Sequence, residues 1–344
     1  MQETLRQASA GRLAGCSAAG ARSDTATVSA SDERRPEIFA LFGPTGVGKT
    51  AVAVALAEKL RARGEDPVAV SADALQVYAG LETLTGVASA AQRECLEHRL
   101  ISFLPLDASF SVGEYAQLAH AEIDDLLAAG RRPIVVGGTG LYLRAALAEL
   151  DLRPAPSAAA RARWSEQLQR RGPRALHELL AQRAPWAAET IDPSDSHRLV
   201  RALELLDAGE LEPPSAPSQL WSDELRHPAL LAGLTMQREE LYARIDARVE
   251  EMLTEGVRAE VLRAHAAGAS DTARQALGFR ELLADDVDGM KRRTRNYARR
   301  QLTWMRKLAG VRVIDVTRRD PAGVAAEVLA DGRPPEGGTY TQAR

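Results

Sequence analysis

Residues Gly43-Pro44-Thr45-Gly46-Val47-Gly48-Lys49-Thr50 have the spacing of a complete phosphate loop: a glycine, four residues, then Gly-Lys-Thr. Gly43 and Gly48 let the backbone wrap a phosphate while successive N–H groups and the N-terminus of the following helix point at it. Lys49 adds a cation, and Thr50 offers a hydroxyl able to ligate Mg²⁺. Most such loops bind ATP or GTP. A hydrolysing NTPase also ends another strand with an aspartate that holds Mg²⁺ through water. Here Ile134-Val135-Val136 runs instead into Gly137-Gly138-Thr139-Gly140, with no carboxylate. The expectation is a loop that holds phosphates without hydrolysing them.

Two further polar residues follow apolar runs. Asp73 comes after Val68-Ala69-Val70-Ser71, where a carboxylate could orient a nucleophile or take its proton, or serve only as a cap or turn residue. The hydroxyl of Thr139 could meet a phosphate oxygen or merely cap the next helix. A third feature is the segment from Lys291 to Lys307, which holds eight basic residues, no acidic one, and Tyr297 and Trp304 between them. That pattern suits either a phosphate-rich partner or a solvated helix face. Arg198 and Arg201 form a second basic patch.

The elements that must position these residues alternate between strand and helix. Residues 38–42 (IFALF) read as a strand, 50–60 as a helix closed by Gly64, 68–71 as a second strand, and 134–136 and 311–314 as further buried strands. Ser111 and Glu114 make a capping box ahead of a helix stopped at Gly130. This order predicts an α/β fold, a parallel sheet with helices on both faces and ligands at the carboxyl ends of the strands. Nine of the 17 prolines lie between Pro154 and Pro228, where no convincing strand occurs. The expected organisation is a disordered extension (1–35), a first part of the core (36–152), a helical insertion (153–230), a second part of the core with the basic helix (231–318), and a tail (319–344).

Composition bounds the alternatives. The net charge of -3 argues against wholesale coating by nucleic acid, and only four of the 44 basic residues are lysine. No apolar run approaches the ~20 residues that span a bilayer, so no membrane role is expected. Cys16 and Cys95 are too few for a disulfide framework or a cysteine zinc site, which fits a reducing cytoplasm. Acidic residues among the first 35 argue against a transit peptide.

Seven stretches in order, GPTGVGKT, SADALQVY, GGTGLYLRA, DPSDSHRLVRALE, REELYARIDARVEEML, ALGFREL and RRQLTWMRK, resemble those of the bacterial tRNA dimethylallyltransferases (tRNA isopentenyltransferases), from about residue 37 to 316. The resemblance implies a P-loop NTPase-like sheet with an inserted helical domain, working as a monomer. It implies transfer of a dimethylallyl group from dimethylallyl diphosphate to the exocyclic amine of the adenosine 3′ of the anticodon, in the anticodon stem-loop of tRNA. Residues 43–50 would hold the donor diphosphate with Mg²⁺ at Thr50, and Asp73 and Thr139 would be catalytic. Contacts with tRNA would come from Asp73, Ala74, Leu75, Gln76, Arg161, His197, Arg198, Arg201, Gly278, Phe279, Arg280 and Glu281.

The chain departs from the family near the acceptor. Ala74 stands where serine is usual, Ala79 where a basic residue is usual, and residues 82–89 read ETLTGVAS instead of a run beginning Asp-Ile-Gly-Thr-Ala-Lys. Three other readings share parts of the pattern: a small-molecule kinase with the same loop and an aspartate base, an isopentenyltransferase acting on free AMP or ADP, and a non-enzymatic RNA-binding protein.

Overall fold

Six strands, β1 (Ile38–Phe42), β2 (Pro67–Ala72), β3 (His98–Arg99), β4 (Arg132–Gly137), β5 (Ala229–Thr235) and β6 (Val311–Asp315), form one sheet in the order β3-β2-β4-β1-β5-β6. Every pairing is parallel. This is a computed structural model that describes residues 36–153, 157–213 and 219–331. The expected extension, residues 1–35, lies outside the described residues.

Helices cover both faces, as parallel strands require. On β1, Phe39 and Leu41 point into one apolar cluster and Ile38, Ala40 and Phe42 into another. The first cluster is closed by α1 (Lys49–Arg61). In the chain between β2 and β4 lie the short α2 (Glu82–Thr85) and α3 (Ala90–Cys95), then α4 (Val112–Ala128). The predicted capping box is formed: Ser111 Oγ accepts the Glu114 N–H and Glu114 accepts the Ser111 N–H. With α5 (Gly140–Leu147), α4 closes the second cluster.

Helices α6 (Ala158–Arg183, broken at Gly172), α7 (Pro185–Thr190) and α8 (Ser196–Ala208) pack on one another around their own core of Trp164, Leu176, Leu180, Leu199 and Leu203. The break follows from Gly172 at φ +77° and Pro173 beside it. The chain returns to the sheet past a pair of indoles in tilted contact, Trp221 and Trp304, with centroids 4.8 Å apart. Buried Arg144 fastens this return by donating to the Gln219 and Glu224 carbonyls. After β5 come α9 (Arg238–Thr254), α10 (Val257–Ala266), α11 (Phe279–Leu283) and the basic α12 (Val287–Met305).

Three expectations need correction. β5 was not foreseen, yet it pairs with the central β1, so the core resumes at Ala229. The run 311–314 is an edge strand with Val313 exposed, because nothing pairs with its outer side among the described residues. The segment expected as a tail contains α13 (Pro321–Asp331), whose Val324, Ala325, Val328 and Leu329 are buried in the cluster under α1; four apolar side chains at helical spacing hold it there. No helix among the described residues is long and apolar enough to cross a membrane.

Candidate active site

Register brings the three polar loops together. Gly137 at the end of β4 pairs with Phe42 at the end of β1 and with Ala72 at the end of β2. The next residues, Gly43, Asp73 and Gly138, therefore leave the carboxyl edge side by side. Of the predicted site, the structure joins residues 43–50, Asp73 and Thr139.

In the loop, Gly48 has φ +99°, a left-handed conformation that lets α1 begin directly at Lys49. The Lys49 ammonium folds back and donates to the carbonyls of Gly43 (2.9 Å) and Pro44 (3.1 Å). The Thr50 hydroxyl has no hydrogen-bond partner among the described residues, which leaves it available to a ligand. No group of three His, Cys, Asp or Glu able to cage a metal occurs among those residues.

Asp73 turns the backbone after β2 by accepting the Leu75 N–H at 3.0 Å. The Gln76 backbone N–H also acts on this carboxylate, so the turn fixes it at the sheet edge. Burial raises its pKa above the ordinary carboxylate value, and the Leu75 N–H and the Lys49 charge oppose that rise. Burial also lowers Lys49 to about 8, with Asp73 pulling it up and Arg248 pushing it down. Three charged groups, Asp73, Lys49 and Arg248, therefore share one crevice. Such mutual perturbation makes the three a candidate functional site.

Thr139 precedes α5, but its side chain makes no capping hydrogen bond. Its hydroxyl meets the Tyr297 hydroxyl at 3.1 Å instead. Burial raises Tyr297 to about 12, with the Asp73 charge adding to the rise, so Tyr297 stays protonated.

Sequence reasoning missed three of these residues. Arg248 lies on α9 over Gly86, where a Cβ would come within 1.5 Å of its guanidinium. Burial lowers its pKa, and it forms no hydrogen bond or ion pair among the described residues. Tyr297 was noted only as an aromatic, and Gln301 only as part of a motif. The available signal was spacing: Arg244 and Arg248 share a helix face one turn apart, as do Tyr297 and Gln301.

The residues assigned to tRNA divide. Gln76 is occupied internally: its amide donates to the Thr85 and Gly86 carbonyls and accepts from Ser71. It ties Ala74 and Leu75 to the divergent 82–89 stretch. The Phe279 side chain is 1% exposed, in the core around Val249 and Met290, which leaves its backbone to meet a partner. Gly278 is the left-handed residue that starts α11, and Glu281 accepts two hydrogen bonds from Arg293. Arg280 alone of these four presents an exposed side chain.

Arg161, His197, Arg198 and Arg201 lie on α6 and α8. Arg161 and Arg201 both approach the fully buried carboxylate of Glu204, at 2.5 and 3.8 Å. His197 and Arg198 are exposed, and among the described residues the Arg198 guanidinium pairs with Asp195 alone, at 3.4 Å. Arg198 is therefore the cleaner probe. Arg198→Ala should flatten the salt dependence of tRNA binding by about 0.7–0.9 in log K against log salt, one phosphate's worth, at unchanged melting temperature. Arg201→Ala should also lower the melting temperature, because it strips a cation from a buried carboxylate. An unaltered slope for Arg198→Ala, measured by titration across salt concentrations, would make the patch a solvated face.

The basic helix divides too. Lys291, Arg292, Arg293 and Arg295 pair with Glu250, Asp286, Glu281 and Asp246, carboxylates that precede them in the chain. Arg299, Arg300, Arg306 and Lys307 form no ion pair among the described residues. Arg300 lies over the Tyr297 ring at 5.5 Å and Lys307 over Trp221 at 5.6 Å. Among the described residues, the cations without a carboxylate partner thus lie in the second half of the segment.

Comparison with known proteins converges on one family. A family model described as IPP transferase matches residues 76–308. The tRNA dimethylallyltransferase of Kineococcus radiotolerans is 39% identical over 306 residues, covering 85% of this chain and 95% of that one. The crystal structure of the full-length tRNA isopentenylpyrophosphate transferase of Bacillus halodurans superposes with a TM-score of 0.61 at 32% identity, covering 86% of this chain and 96% of that one. A eukaryotic dimethylallyltransferase captured acting on tRNA shares the fold, with a TM-score of 0.67 at 22% identity over 87% of this chain and 81% of that one.

Proposed function

The chain belongs to the IPP transferase family, and from that premise we propose that it transfers a dimethylallyl group from dimethylallyl diphosphate to the exocyclic amine of the adenosine 3′ of the anticodon in tRNA, releasing diphosphate. The observation that carries this reading is the crevice itself: a phosphate loop whose cation, Lys49, interacts with the Asp73 carboxylate, beside the Thr139 hydroxyl on the adjacent strand end.

An aromatic amine is a weak nucleophile, so the leaving group must be made good. Lys49, Arg248 and the loop N–H groups stabilise the negative charge that develops on the diphosphate as the allylic C–O bond breaks, its electron pair departing with the diphosphate oxygen. The amine lone pair forms the new C–N bond. The proton lost from nitrogen passes to Asp73, whose raised pKa makes it a better base than an exposed aspartate. Thr139, oriented by Tyr297, hydrogen-bonds at the junction of donor and acceptor. The residues present suit Mg²⁺ bound with substrate: Thr50 would supply one oxygen and diphosphate and water the rest, as is usual for Mg²⁺ beside phosphates. Bound there, Mg²⁺ would further neutralise the diphosphate.

The adenosine must leave its stack to enter the crevice, at a cost of a few kcal/mol that contacts along the anticodon stem-loop offset. In this reading the helical insertion, about residues 153–230, and the free end of α12 supply those contacts. A monomer working in the cytoplasm is part of the same proposal. The reading is tested by competition: an anticodon stem-loop should be prenylated in preference to free AMP or ADP. Equal or preferred use of the free nucleotide would shift the assignment to an adenine-nucleotide isopentenyltransferase.

The pH profile follows from the two perturbed groups. Lys49 loses its proton above about pH 8 in the free protein, so kcat/KM for the donor should fall there. Bound diphosphate raises the lysine pKa, so kcat itself should hold to higher pH. On the acid side, Asp73 must be ionised to act, and its raised pKa moves the acid limb above the ordinary aspartate range. Steady-state rates from pH 5 to 10 measure both limbs; a kcat/KM flat through pH 8–9 would contradict the Lys49 assignment.

A further inference from the structure

Gln301 is 4% exposed on α12, a buried amide in a helix otherwise read for its charge. Its two side-chain hydrogen bonds both leave the helix. Oε1 accepts the Thr45 N–H at 2.8 Å, and Nε2 donates to the Gly138 carbonyl at 2.7 Å. Thr45 belongs to the phosphate loop, and Gly138 immediately precedes Thr139. The amide orientation is fixed by its partners, since an N–H needs the oxygen and a carbonyl needs the nitrogen. The fit is close: a Cβ on Gly138 would lie 2.3 Å from Nε2 and 3.4 Å from the Lys49 ammonium.

One turn earlier on the same helix, Tyr297 holds the Thr139 hydroxyl. Helix α12 thus grips consecutive residues of the acceptor loop, and through Gln301 it grips the donor loop as well. We propose that Gln301 is a positioning residue that sets the separation between the two loops, and with it the approach of the prenyl carbon to the amine. A carboxylate could accept from Thr45 but not donate to Gly138, and a lysine could donate but not accept. An amide of this length does both. The group touches neither diphosphate nor adenosine in this account, so its effect is on the geometry of the encounter. Displacement of reacting groups by about 1 Å can cost on the order of 10²-fold in rate.

The kinetic consequence rests on the function proposed above; the bridge between the loops does not. Gln301→Met keeps length and volume and removes both hydrogen bonds. Gln301→Asn keeps the amide but is one methylene too short to reach both loops, and it serves if the methionine variant folds poorly. Amide hydrogen exchange followed by mass spectrometry should show both segments, 43–47 and 137–141, exchanging at least about tenfold faster in either variant, with α8 unchanged. Single-turnover prenyl transfer should fall about 30–100-fold, while the affinities for dimethylallyl diphosphate and tRNA stay within about threefold. Exchange unchanged in either loop would overturn the bridge. A normal rate, or a loss accounted for by weaker donor binding, would overturn the positioning role. If the wild-type protein transfers nothing, the function proposal falls, and the exchange result still decides whether Gln301 couples the loops.

Discussion

Asp73→Asn should lower the single-turnover rate of prenyl transfer by about 10²–10⁴, the range expected when a positioned general base is removed. The substitution is gentle in every other respect. Asn retains an oxygen to accept the Leu75 N–H, so the turn after β2 should persist. It also removes a negative charge that acts on both Lys49 and Arg248, so the anionic donor should bind at least as well as before at neutral pH. Loss of rate at undiminished donor affinity is the signature of a group that acts in the chemical step. Rapid-quench measurement at saturating donor and tRNA separates that step from binding. A loss smaller than about tenfold, ~1.4 kcal/mol, is within reach of a change in local charge and would sink the base assignment.

Lys49→Ala should cost about 10²–10³ in kcat, the amount typical of one preorganised electrostatic donor, and should weaken donor binding as well. Stability should barely respond. The folded-state pKa of Lys49 is depressed from 10.5 to about 8, so below pH 8 the folded state bears the cost of a desolvated cation that the unfolded chain does not. Across pH 8 to 10.5 that cost disappears, because the folded-state lysine has lost its proton while the unfolded chain still holds one. Removing the side chain therefore relieves a penalty at neutral pH while forfeiting two hydrogen bonds to loop carbonyls, and the two effects oppose. Calorimetric melting at pH 7 checks this. Wild-type turnover in Lys49→Ala would detach the phosphate loop from the reaction.

What could be seen in the sequence was what is local. The phosphate loop, Asp73 and Thr139 each follow a short apolar strand, and a parallel sheet delivers such residues to one edge. The capping box at Ser111 was equally visible because its partners are three residues apart. What stayed hidden depends on distant pairing. Thr139 meets a tyrosine 158 residues away, and Thr45 a glutamine 256 residues away. Both come from the segment 291–307, whose eight cations drew the eye to its charge, while half-buried Tyr297 and buried Gln301 face the loops at the sheet edge. β5 escaped notice because Gly233 interrupts a run of alanine and leucine, which favour helix over strand; its place next to β1 is set by the sheet rather than by strand propensity. α13 was obscured by its position near the end of the chain, though Val324, Val328 and Leu329 already had helical spacing. The burial of the Phe279 side chain was not visible because a motif match records which residues recur and not which way they point.

The central claim is that the phosphate loop serves a prenyl donor and not a nucleoside triphosphate. The most direct measurement incubates the protein and unmodified tRNA with dimethylallyl diphosphate in one reaction and with ATP in another, digests the tRNA, and weighs the nucleosides by mass spectrometry alongside released diphosphate. The account predicts one five-carbon addition to the adenosine 3′ of the anticodon, matched mole for mole by diphosphate, in the first reaction and no change in the tRNA in the second. Adenosine left unmodified by the prenyl donor, with phosphoryl transfer from ATP in its place, would contradict it.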